Sequence, residues 1–196
     1  MQLIISLLVT CAAFSAAFTL PEAASDGFYM AYYNDTGHEV HVKSPDTSIL
    51  KSMAHSDDES TKSAIPPSRI ARIQRRRNTW CGCTQKMNPA NCDSAVAGLK
   101  SLMDAKSGGY ARITHGRSLY VFKGDVVAFV CNYSQDTDAV ISANDYGQGL
   151  GQITSACGLY SAGTLQHMPD VYVGYMIYGP GVEFCQASRT SPVSSC

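Results

Sequence analysis

Seven cysteines, Cys81, Cys83, Cys92, Cys131, Cys157, Cys185 and Cys196, fall in the last two-thirds of a 196-residue chain, and the compartment in which they fold decides what they can become. Ahead of them an apolar run from Leu3 to Ala17 ends in Ser15-Ala16-Ala17, the small-x-small pattern that signal peptidase accepts. The run has no basic start, and Pro21, Glu22, Ser25 and Asp26 close it before the roughly 20 apolar residues a spanning helix needs. Residues 1–17 therefore read as a secretory signal that carries Cys11 away, and an oxidising destination makes disulfides the expected fate of the other seven. No membrane span is expected after it.

Seven is an odd number, so one thiol stays free, joins another chain or is lost with a trimmed tail. Cys196, at the end of a Ser/Thr-rich tail, is the first candidate for that role. Six paired cysteines admit many connectivities. A direct Cys81 to Cys83 bridge would close a strained small ring, so these two are expected to reach different partners. Cys81-x-Cys83 with Cys92 and His115 would suggest zinc in a cytosolic chain, but a second close ligand pair is missing and the compartment is wrong. No metal or cofactor is expected.

Between Glu59 and Asp93 no acidic residue occurs, while Lys62, Arg69, Arg72 and Arg75-Arg76-Arg77 accumulate. Residues 60–68 are rich in Ser and Thr and contain Pro66-Pro67, which marks a linker; residues 60–77 as a whole form a basic, extended segment of the kind a protease can thread. A polybasic patch for anionic lipid, heparin or nucleic acid is the competing reading, and it leaves unexplained why all seven cysteines lie on one side of the patch. The chain accordingly divides into a signal (1–17), a pro-segment (18–77) and a mature cysteine-rich domain (78–196). Within the pro-segment, Phe28 to Tyr33, Asn34-Asp35-Thr36-Gly37 and Val40-His41-Val42 read as strand, turn and strand, a hairpin over 28–42 expected to pair with the mature sheet during folding.

The part after Arg77 is roughly 120 residues, a usual domain size. Its seven Lys and Arg against eight Asp and Glu leave it near neutral, which argues against a nucleic-acid partner. Asn91 or Asp93 can cap a helix with apolar positions Val96, Leu99 and Met103, stopped by Gly108-Gly109. Leu119 to Phe122 and Asp125 to Cys131 read as strands split by Lys123-Gly124. Tyr146, Leu150, Ile153 and Cys157 form one apolar face of a second helix ending at Gly158, with Gly147, Gly149 and Gly151 expected to permit close packing on a sheet. Ala162 to His167 and Val171 to Tyr178 follow as strands, the latter apolar on both faces except at Gly174 and so central. The order predicts an α+β fold, a disulfide-stabilised two-layer sandwich with two helices packed on a mainly antiparallel sheet.

Arg75-Arg76-Arg77 resembles the kexin or furin processing sites of fungal secreted proproteins, with Asn78 as the new amino terminus. The wider pattern of Trp80-Cys81-Gly82-Cys83, Cys92 before a helix, Val127 to Asn132, Ala156-Cys157-Gly158, Val173 to Met176 and Phe184-Cys185 resembles fungal small secreted cysteine-rich effectors. Its two-helix, cross-linked layout is similar to virally encoded killer toxins and necrosis-inducing effectors. That resemblance implies a kexin-like processing protease as one partner, and an extracellular protein that binds a host or competitor target, with virulence or toxicity as the outcome and without catalysis. The killer-toxin pattern carries more cysteines, and none of its toxic residues maps onto this chain.

Two rival readings are kept. A secreted ribonuclease would use His115 and His167 as base and acid, Glu183 in assistance and Arg112 or Arg117 on phosphate, though no spacing selects these residues. A cell-wall or surface protein would be separated from a diffusing one by wall fractionation. Serine-hydrolase, dinucleotide and metalloprotease motifs are missing: there is no Gly-x-Ser-x-Gly, Gly147-x-Gly149-x-Gly151 has the wrong spacing, and His38-Glu39-Val40-His41 has its histidines three apart. Asn34-Asp35-Thr36 and Asn132-Tyr133-Ser134 are sequons, which makes Asn34 and Asn132 glycosylation candidates.

Overall fold

Lys123-Gly124 turns the chain back on itself, with Gly124 at φ +61°, and sets β6 (Arg117–Lys123) against β7 (Val126–Asn132) in an antiparallel hairpin. The computed structural model describes residues 18–44, 78–104, 109–185 and 191–196. The other strands are β1 (Phe18–Thr19), β2 (Gly27–Tyr33), β3 (Glu39–Ser44), β4 (Thr79–Lys86), β5 (Ala111–Ile113), β8 (Ala139–Ile141), β9 (Ser161–Met168), β10 (Val171–Ile177) and β11 (Glu183–Phe184); the helices are α1 (Pro89–Ser101) and α2 (Ala143–Cys157). Seven strands form one antiparallel sheet in the order β3-β2-β6-β7-β10-β9-β4, flanked by the two-stranded ribbons β1-β11 and β5-β8. The fold is α+β, as the order of elements predicts.

β7 is at the centre and every one of its residues is buried, so alternation sends its side chains into two separate apolar clusters. Ala128 and Val130 join Leu119, Val121, Leu165 and Val173 against Leu99 of α1 and Ile153 of α2, which places both helices on one face. Val127 and Phe129 join Tyr120, Tyr172 and Met176 on the other face, which is not left to solvent. Phe18, Leu20 and Phe184 cover it as a strap, with β1 and β11 paired Phe18 to Phe184.

Asn88, not Asn91 or Asp93, caps α1: its Oδ1 accepts the Asn91 amide at 3.2 Å and Pro89 opens the helix, where its missing N–H costs nothing. Asn91 instead donates its side-chain amide to Asp125 across the β6-β7 turn at 2.7 Å. α2 starts in a capping box in which Ser142 and Asp145 satisfy each other's amides, and ends before Gly158 at φ +89°. Of its three glycines only Gly149 serves close packing, since a Cβ there would come 2.8 Å from Val173. At Gly151 a Cβ would meet nothing, and at Gly147 only the end of Lys100.

The hairpin expected over 28–42 is β2 and β3, and β2 lies against β6 from Gly27↔Phe122 to Tyr32↔Arg117. The carboxyl end of the chain runs back along the opposite edge. There Cys81 donates its amide to Val193 and Cys196 donates to Ala156, both at 2.8 Å. That return path corrects the expectation that Cys196 is the odd thiol. Three cysteine pairs lie at bonding distance, Cys81–Cys157, Cys83–Cys196 and Cys131–Cys185, with Cα separations of 5.3, 5.6 and 6.3 Å, inside the range a disulfide spans. Cys81 and Cys83 do reach different partners, and Cys92, on the buried face of α1, is the free thiol among the described residues. The first pair ties edge strand β4 to the end of α2, and the third ties β7 to the strap.

Candidate functional site

Asp138 is the organising group of the most polar side-chain cluster that the sequence candidates enter. It sits just before β8, where Ala111↔Ile141 to Ile113↔Ala139 pair the short ribbon beside the sheet. Its Oδ1 accepts the His115 amide at 3.1 Å and faces His115 Nδ1 at 3.2 Å, while its Oδ2 lies 3.5 Å from an Arg112 guanidinium nitrogen. Burial acts to raise this carboxyl, but the His115 amide, the His115 ring and Arg112 outweigh it and hold Asp138 below its ordinary value. Arg112 and His115 remain about half exposed, and Tyr110 and Val140 are exposed on the same ribbon.

A carboxyl lowered in the folded state stabilises above its unfolded value of about 3.9, and that contribution is lost as pH falls through the folded value. The expected result for Asp138→Asn is a ribbon loosened by less than about 1 kcal/mol, because exposed pairs are worth little. Amide exchange in β5 checks this: the native protein should match the variant in acid and be better protected than it near neutral pH.

Asn132 anchors the ribbon from below. Fully buried, it donates its side-chain amide to the carbonyls of Ile113 at 3.0 Å and Thr137 at 2.9 Å and accepts the Ser134 amide at 3.0 Å. A glycan on that nitrogen would remove one of its two donor hydrogens and has no room at a fully buried side chain, so the folded protein is expected to carry none there. Asn132→Ala should cost about 1–3 kcal/mol by stripping the buried Ile113 carbonyl and the part-buried Thr137 carbonyl of their donor, which thermal unfolding would read. Asn34, by contrast, lies exposed at the β2-β3 turn, its Oδ1 accepting from the Thr36 and His38 amides and the Thr36 hydroxyl.

The structure does not bring the ribonuclease candidates together. His115 precedes β6 and His167 is on β9, with β7 and β10 between those two strands in the sheet. His167 faces α2, since a Cβ built on Gly149 would stand 3.9 Å from its Nδ1. Glu183 belongs to the strap over the opposite face, paired with Thr19. Arg117 lies over the Tyr32 ring at 5.4 Å, so it does not join Arg112. The residue that sequence reading missed is Asp138, because nothing local in Asp136-Thr137-Asp138 announces partners more than twenty positions away.

Cys81 and Cys83 are engaged with Cys157 and Cys196, so the zinc set weighed with Cys92 and His115 does not assemble, and among the described residues no other three metal-binding side chains converge. Burial, with the Asp93 charge adding to it, pushes the Cys92 thiol up to about 11. A thiol reagent at neutral pH should therefore leave Cys92 unmodified in the native protein and label it on unfolding. The processing candidates Arg75, Arg76 and Arg77 lie outside the described residues. Among those described, no helix is long and apolar enough to cross a membrane. Comparison with protein-family models, curated proteins and solved structures returns no match.

Proposed function

We propose that this chain is a secreted, non-catalytic binding protein of the effector or killer-toxin-like kind, matured by a kexin-like protease after Arg77 and acting on an extracellular host or competitor target. The architecture is then a two-layer sandwich of helices on a sheet, closed on its second face by the strap. Three cysteine pairs at bonding distance support an oxidising destination. What supports the binding reading is that β7 and β10 stand between the segments carrying His115 and His167, while Glu183 lies in the strap over the opposite face, so the three do not form one acid-base cluster. The β5-β8 ribbon is the contact surface, because it exposes Tyr110, Arg112 and Val140 on a rigidly anchored frame, and aromatic and arginine side chains dominate binding energy at interfaces.

A fluorogenic oligoribonucleotide tests catalysis. The purified protein, and the double variant His115→Ala with His167→Ala, should cleave it no faster than buffer, and His167→Ala alone, placed on β9 away from the ribbon, should leave necrosis or growth inhibition of the target organism unchanged. Cleavage of the oligonucleotide that disappears in the double variant would replace this reading with the ribonuclease.

A further inference from the structure

The amino-terminal segment grips the rest of the molecule from two directions at once. From the edge, β2 supplies six paired positions to β6, whose other side is already taken by β7. From the face, Leu20 exchanges backbone bonds with Val182 at 2.9 Å and Gly181 at 3.1 Å, and Tyr178 donates its hydroxyl to the Pro21 carbonyl at 2.5 Å. Asp26 binds Lys123 at 2.6 Å and accepts the Gly124 amide at 2.8 Å, fixing the join between strap and hairpin to the β6-β7 turn.

Side chains from this segment fill both apolar clusters. Met30 enters the cluster under the helices, while Phe18, Leu20, Tyr29 and Ala31 enter the other. Tyr29 stacks on Tyr120 with centroids 4.9 Å apart and planes 6° from parallel, and the fully buried Tyr120 hydroxyl meets His41 at 2.9 Å. The two grips are also locked to each other: Glu39 of β3 accepts the Thr19 amide at 2.6 Å and hydroxyl at 2.8 Å, and lies 2.6 Å from His41. Glu39 thus joins strap and hairpin by direct hydrogen bonds.

We infer that residues 18–44 are a permanent subunit of the processed molecule: after a cut between Ser44 and Asn78, the amino-terminal piece stays bound to residues 78–196 as a non-covalent partner. No cysteine lies between Cys11 and Cys81, so packing, hydrogen bonds and the Asp26–Lys123 ion pair, not a disulfide, join the two pieces. Loss of the piece would turn β6, with Leu119, Tyr120, Val121 and Phe122, into a long apolar edge strand, the kind that templates aggregation. With it retained, the sheet ends on β3, whose Glu39, His41 and Lys43 blunt that edge. The inference deepens the maturation step proposed above, since it makes the mature product a two-chain particle.

The test replaces Arg75, Arg76 and Arg77 by alanine and inserts a single viral-protease recognition sequence between Ser44 and Asn78. The protein is cut in native buffer and passed over a sizing column at micromolar concentration. Expected is one peak of unchanged volume whose mass spectrum contains both pieces, and their separation in denaturant without reductant. Ala31→Arg, which forces a charge into the buried β2 contact, should release the piece after cutting. Release from the parent protein overturns the inference, whether residues 78–196 then stay folded or precipitate. Because the cut is engineered, the result does not depend on whether a cellular protease acts at Arg77; that reading fails separately if the secreted product is full length.

Discussion

Replacing Cys81 and Cys157 by alanine is expected to lower stability by about 4 kcal/mol, the loop-closure entropy regained by an unfolded chain whose closed loop spanned 76 residues. The loss is large because the bridge has two functions: it closes that loop, and it pins edge strand β4 to the end of α2. β4 has a sheet neighbour, β9, on one side only and a broken register after Gly82. Urea unfolding reads the change as a lower midpoint. The buried thiol variant Cys92→Ala supplies the comparison, since it removes one small side chain and no cross-link. An unchanged midpoint in the double variant would mean that this pair is not bridged.

Gly174→Ala should cost about 3 kcal/mol, at the upper end of what overpacking does. Gly174 lies in β10 between Phe129 of β7 and Thr164 of β9. A Cβ there would run into the Gly163 carbonyl and stand 2.8 Å from the Phe129 ring, and neither a backbone atom nor a central aromatic can step aside cheaply. Gly151→Ala is the paired control: its Cβ meets open space on α2, so the exchange should gain about 0.5–1 kcal/mol from helix propensity. Thermal unfolding of the two variants should move in opposite directions. A drop in both would show that α2 needs Gly151 for a contact absent from this structure.

The parts of the fold legible in the sequence are those in which local pattern and tertiary burial agree. β6 and β7 are long apolar runs with a glycine turn between them, and the Tyr146, Leu150, Ile153, Cys157 face of α2 keeps helical spacing to its end. β10 reads as central because it is apolar on both faces, and it sits between β7 and β9. β4 escaped notice because an edge strand tied down by cysteines needs no apolar alternation, and Trp80-Cys81-Gly82-Cys83-Thr84-Gln85 shows none. β1 and β11 have two residues each and pair across nearly the whole chain, so no period announces them.

The cap of α1 was legible and pointed elsewhere: Asn88-Pro89 is a helix start, but Asn91 and Asp93 stand nearer the apolar positions. The cysteine pairing was not legible, because a terminal Cys looks free until the tail is seen to return along β4. As for the candidate site, His115 stood out as a scarce titratable group and Arg112 as a candidate to hold phosphate. Asp138, which holds them, depends on strand pairing that only the folded ribbon supplies.

A cross-linked interior with a defined pairing underlies the fold, and peptide mapping of the unreduced protein tests it most directly. The predicted map contains the linked pairs Cys81–Cys157, Cys83–Cys196 and Cys131–Cys185 with Cys92 as a thiol. A map with Cys92 bridged, Cys196 free, or all seven cysteines reduced would contradict it.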